Sequence, residues 1–312
     1  MNRWQPKGLI AVDKQGDRIL FLDPISLATL DCIPSMPSLP HELALNTQRT
    51  KAFVPAYGDG IHGDNPHPNH YISVIDLQSR KRVKDIDISP LTSPHTLRFG
   101  PSGLLYVCCE NSAVVAAIDT IRDQVIQKWP TGSSNTHRLT ILPETGKIVT
   151  ENEEDATLTV LDLSTGRRVR TIPLSSPTAG ITHLPDERRI VVTDAQSPRL
   201  LIVDIETGQL TETVTLTAHK RPAQVVKCDP HQQWLVAIGD HEPVLTAIHL
   251  SDWTQKPAHV GNKPMDGDFH PDGKHFLVAN EGDGTLSEVL LSSGATLRTV
   301  PAGKGCETLA FF

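Results

Sequence analysis

The chain has 312 residues, a formal net charge of −7 and 21% charged residues. The acidic balance argues against nucleic acid as the main partner, because phosphate binding needs a net basic face. No apolar run approaches the roughly 18 residues of a membrane span, so no membrane is expected either.

In chain order, short β-branched runs recur between Gly- and Pro-rich turns. The first three expected strands are Leu9–Asp13, Arg18–Leu22 and Thr29–Ile33. Four more follow at 41–45, Lys51–Pro55, 71–75 and 82–86. Later units repeat this set of four. Their second strands fall at Leu105–Cys109, Lys147–Glu151, 190–194, 235–238 and 276–280. Each third strand ends in a marker followed by a turn: Asp23, Asp76, Asp119, Asp162, Asp204, and in degenerate form His249 and Leu290. The spacing is about 43 residues, the period of a propeller blade with strands A to D from the hub outward.

The expected fold is therefore all-β, a seven-bladed β-propeller forming one domain over residues 1–312. The N-terminus supplies three strands of the first blade. A lone strand at 307–312 supplies its inner strand and closes the ring, which removes exposed sheet edges.

The five cysteines (Cys32, Cys108, Cys109, Cys228 and Cys306) show no framework spacing and no CxxC pair, which speaks against disulfides and structural zinc. The first residues hold no apolar secretory segment, so cytoplasmic residence is expected.

Aligning the starts of the seven inner strands gives the sharpest functional signal. The equivalent position holds Glu307, His41, His95, His137, Ala179, Gln224 and Met265, with a Pro six residues on in five blades. An inherited structural histidine would not be confined to three adjacent blades. His41, His95, His137 and Glu307 are expected to converge on the axis as ligands of a divalent metal ion (zinc, manganese or iron). The side lined by Ala179 and Gln224 is expected to stay open to substrate.

The ends of the second strands form another ring, including Asp13, Tyr57, Glu110, Glu151 and Asp194. Glu110 and Glu151 belong to His-bearing blades. They are expected either to hold an imidazole in one tautomer or to act as general base. Arg138 is a candidate for binding a substrate carboxylate. Gln224, Asp194, Tyr57 and His62 complete the expected substrate-binding set. His62 belongs to an inserted loop at 58–70, whose length suits a binding loop.

Phe276-Leu-Val-Ala-Asn-Glu-Gly-Asp-Gly-Thr-Leu286 and Lys147-Ile-Val-Thr-Glu-Asn152, each followed by a strand and a Thr-Gly or Ser-Gly turn, resemble the YVTN family of propeller repeats. That family overlaps a lactonase-like group of seven-bladed propellers. The resemblance implies fold more strongly than chemistry. It makes a metal-dependent, lactonase-like hydrolase acting on a small molecule the leading expectation. A metal-assisted lyase or isomerase, and a non-catalytic scaffold binding a protein or ligand, are the alternatives.

Overall fold

In the computed structural model, residues 4–37, 39–60 and 65–312 are described. They form seven four-stranded antiparallel sheets. Blades two to seven span Ala44–Leu45 to Lys81–Asp87, Pro94–Phe99 to Gln124–Pro130, Arg138–Leu142 to Arg168–Pro173, Thr178–His183 to Gln209–Thr215, Val225–Cys228 to Gln255–His259, and Pro264–Phe269 to Ala295–Pro301. Blade one joins the two termini. Cys306–Phe311 pairs antiparallel with Leu9–Asp13, matching Leu9 with Phe311 and Ala11 with Leu309.

The sequence dictates this arrangement through burial. The second and third strands of each blade are packed on both faces by neighbouring blades and are therefore almost wholly apolar: Leu9–Asp13 and Leu105–Cys109 are buried throughout. Outer strands such as Thr29–Ile33 are largely exposed. Seven apolar clusters result, one in each seam between adjacent blades. The seam between blades seven and one holds Leu286, Leu277, Leu309 and Phe311, so ring closure rests on packing as well as strand pairing.

The marker Asp builds the outer hairpin. Asp162 Oδ1 accepts from the Ser164 and Thr165 amides at 3.1 and 2.9 Å and from both hydroxyls at 2.7 and 2.8 Å. Those donors hold its carboxyl down at about 2. Gly166 follows at φ +70°, a conformation that favours glycine.

A second recurring device sits at the hub. The inner strands of blades three, five and seven break register at their first residues, between Pro94 and Leu97, Thr178 and Ile181, and Pro264 and Gly267. In blade two the regular strand shortens to Ala44–Leu45, leaving His41 and Glu42 ahead of it. Such irregularities re-aim a side chain that a regular strand would send into a seam.

A candidate metal centre at the hub

The structure brings His41, His95 and His137 into contact. His95 Nε2 lies 2.6 Å from His41 Nε2 and 3.1 Å from His137 Nε2. The backbone amides of His41 and His137 are pinned to the Pro55 and Glu151 carbonyls, both at 3.1 Å, and His95 sits in the break at the start of its strand. All three side chains are close to fully buried, His95 at 3% exposure.

Each ring is held by its other nitrogen. His41 Nδ1 is 2.9 Å from Glu307 Oε2, and Lys14 Nζ lies 3.1 Å from both that nitrogen and Glu307 Oε1. His137 Nδ1 meets Glu151 Oε1 at 2.8 Å. His95 Nδ1 meets Thr96 Oγ1 at 3.2 Å, and Thr96 Oγ1 donates to Glu42 at 2.8 Å. At His95 and His137 the acceptor on Nδ1 fixes the tautomer that turns an Nε2 lone pair to the centre, the usual outer support of a metal-binding histidine, whereas His41 Nδ1 faces both the Lys14 ammonium and Glu307.

Two carboxylates change places relative to the sequence expectation. Glu307 was expected on the ion but stands behind His41, on the Nδ1 side. Glu110 faces the centre instead, with Oε1 4.0 Å from His95 Nε2 and 3.9 Å from His137 Nε2. His95, Glu110 and His137 form a buried group whose ligand atoms lie within 4.8 Å of one another. Tyr57 donates its hydroxyl to Glu110 Oε2, and its ring centroid lies 5.5 Å from those of His41 and His95. Burial, reinforced by the Glu110 charge, raises the Tyr57 pKa and keeps it a donor.

The electrostatics divide the imidazoles. Burial, together with the neighbouring His137 and His41, drives the His95 pKa well below its ordinary value. Burial also pulls His137 down, but Glu151 and Glu153 outweigh it and leave that pKa raised. His95 is thus neutral, with its Nε2 lone pair facing the centre. Behind it, Glu42 is disfavoured as an anion by burial, yet Arg138 and Arg98 overcome this and bring its pKa to about 2.

The other expected residues lie elsewhere. Asp194 binds Arg199 Nε at 2.6 Å and caps the turn through the Gln196 and Ser197 amides, so it is a hairpin clamp. Arg138 turns toward the far end of the channel, with Nη1 3.6 Å from Glu42. On the side expected to be open, Ala179 is buried and Gln224 half-buried. His62 lies outside the described residues. Of its loop companions, His67 pairs with Asp59 at 2.6 Å in solvent, and His70 stacks on Tyr71 at 4.2 Å. One further His/Asp group among the described residues, His270, Asp272 and His275, is half-exposed in a turn that Asp272 caps.

This fold and hub define a seven-bladed propeller with a polar, histidine-lined axis. A profile of the cytochrome D1 heme domain family matches residues 99–309, and the chain belongs to that family. The match bears out a propeller family but not the finer YVTN grouping suggested by the repeats. No curated protein sequence matches the chain. Among solved structures, Kuenenia stuttgartiensis hydrazine synthase superposes with a TM-score of 0.72 at 16% identity, over 86% of this chain and 88% of that one. At that identity the likeness is one of fold.

Proposed function

We propose that the hub holds a single divalent metal ion and that the protein is a metal-dependent hydrolase acting on a small polar molecule. The observation that carries this reading is the buried group of His95, Glu110 and His137, whose ligand atoms lie within 4.8 Å of one another, with His41 Nε2 2.6 Å from His95 Nε2. Two imidazoles and a carboxylate, with His41 beside them and a further position left to water, make a catalytic rather than a structural zinc-type set. An ion there lowers the pKa of its bound water. Glu110, about 4 Å from two of the Nε2 atoms, is placed to take the water's proton, and Tyr57 holds it in position.

The family name carries a heme, and the hub donors do not suit that group. The His95 ring centroid lies 4.3 and 4.2 Å from those of His41 and His137, and rings in mutual contact leave no slot for a macrocycle. The donors suit a bare ion.

Lactone ring opening is the lead reaction, on the strength of the YVTN-like repeats. A lyase or isomerase would use the same ion to polarise its substrate. The near-complete burial of the hub favours a second reading, a scaffold whose ion is structural. Five free thiols, with no disulfide, support cytoplasmic residence.

The test is elemental analysis of purified protein, then lactone hydrolysis by apoprotein reloaded with zinc, manganese or iron. One ion per chain and activity restored by reloading are expected, with both lost in a folded His41/His95/His137→Ala variant. A protein that takes up no ion under any loading condition would sink the proposal. Stoichiometric ion without turnover of any lactone would leave the scaffold reading.

A further inference from the structure

We infer that the opposite mouth of the channel is a binding site for a small organic monocarboxylate with an apolar body. A cavity of about 560 Å³ runs from Arg138, beside the hub, to the turns at Pro101 and Pro143. That is within the range of roughly 300–1,000 Å³ typical of small-molecule sites. Its walls include Phe99, Ile141, Ile181 and Val225, and its charged groups are Arg98, Arg138, Lys227 and Asp266.

The cations of this cavity are unequally paired. Lys227 is matched by Asp266 at 2.9 Å and also donates to the Gly267 carbonyl at 2.6 Å. In the adjoining recess, Asp268 accepts from the Phe311 amide at 3.1 Å, with Arg49 on the same wall. Arg98 and Arg138, however, share the single carboxylate of Glu42, at 3.5 and 3.6 Å. Asp266, Glu151 and Glu153 also act on Arg138 through space, so the opening for a ligand lies in unfilled hydrogen-bond donors beside apolar walls and not in net charge.

Arg138 is also short of acceptors. Its Nε is buried without a hydrogen-bond partner among the described residues, and its approach to Glu42 is longer than a hydrogen bond. Buried polar groups are almost always satisfied, so such a group calls for a missing partner. A guanidinium presents two parallel donors to a carboxylate, the geometry in which such pairs are strongest. A ligand carboxylate on Arg138 and Arg98 would supply the missing acceptor, while its apolar portion lies against Ile141, Ile181 and Val225. The site adjoins the hub through Glu42, which also accepts from the Thr96 hydroxyl behind His95, but anion binding is read separately from the ion proposed there.

Calorimetric titration of the full chain with benzoate and with hexanoate tests this, with benzamide as the uncharged analogue of benzoate. Saturable one-to-one binding of both anions is expected, with a Kd of about 1 mM or tighter, and no saturation by benzamide. Arg138→Met should weaken binding roughly tenfold or more. If that variant misfolds, Arg98→Gln, at a half-exposed position, carries the test with a smaller loss in the same direction. Failure of both anions to saturate, equal binding of benzoate and benzamide, or unchanged affinity in a folded Arg variant would each overturn the inference.

Discussion

The Nε2 atoms of His41 and His95 lie 2.6 Å apart inside a buried hub. At that distance two imidazoles either share one proton or turn their lone pairs to a common ion. In the proposed centre, the acceptors behind Nδ1 of His95 and His137 turn their Nε2 lone pairs inward, and an ion is the partner that satisfies them. Metal should therefore stabilise the fold. Thermal melts with zinc at about 1,000 times its Kd should show a gain of about 4 kcal/mol, reversed by chelator. His95→Ala should abolish this shift, and its persistence in that variant would place the ion elsewhere.

Glu151 lies 2.8 Å from His137 Nδ1, and in the proposed centre it acts on the ion through that imidazole. Glu151→Gln keeps the shape but removes the charge that makes the imidazole a stronger donor. Metal affinity should fall about 10–100-fold, with stoichiometry unchanged at saturation. Glu307→Gln should behave alike through His41. Competition with a chromophoric chelator measures both, and a loss of stoichiometry would make either residue a direct ligand.

Glu110 differs, because it faces the centre rather than the back of a ring. Glu110→Gln should retain the ion yet lower turnover by about 100-fold or more, the loss expected for a general base. Equal losses of metal and activity would instead assign Glu110 to the coordination sphere.

The blades were legible because strands packed on both faces must be apolar, and because the marker Asp makes a turn with its own chemistry. The three histidines were legible only through alignment of repeats. The exchange of Glu307 and Glu110 was not, since side-chain direction at a broken strand start is invisible in sequence. Asp194 was misread for a different reason. Register shows that Asp13, Asn152, Asp194 and Asn280 end their strands opposite the first residues of the third strands, which they bind: Arg18 at 2.5 Å, Thr157 at 2.9 Å, Arg199 at 2.6 Å and Thr285 at 3.0 Å. An Asp followed five residues later by Arg was the available sign of a clamp. Glu151 stands one residue earlier than Asn152 and so projects to the other side.

His219 supplies a pH dependence away from the hub. It is buried, with Nε2 3.0 Å from Thr246 Oγ1, and burial lowers its pKa to about 4 despite the opposing charge of Glu242. The unfolded chain takes up this proton near pH 6.5, the folded one only near 4. Stability is therefore unaffected above 6.5 and falls as pH drops through that window, by up to about 3 kcal/mol. Urea unfolding of wild type and His219→Gln across pH 7 to 4 checks this. The variant's curve should be flatter, and parallel curves would refute the assignment.

Ring closure should dominate stability. Cys306–Phe311 covers Leu9–Asp13, a strand buried along its whole length. Phe311 is 2% exposed in the seam between blades seven and one, with its ring edge-on to His270 at 5.0 Å. Arg49 Nη1 donates to the Phe311 carbonyl, and Asp13 accepts from the Lys304 and Gly305 amides just before the closing strand. Phe311→Ala should cost about 3–5 kcal/mol, through lost burial and the cavity left behind. Deletion of residues 306–312 goes further, because it leaves a buried apolar strand as an open edge, which invites pairing between chains. The truncated protein should be recovered as aggregate, while Val83→Ala on an exposed outer strand should stay within about 0.5 kcal/mol of wild type. A soluble, cooperatively unfolding truncation would show that the other six blades hold the ring without its closing strand.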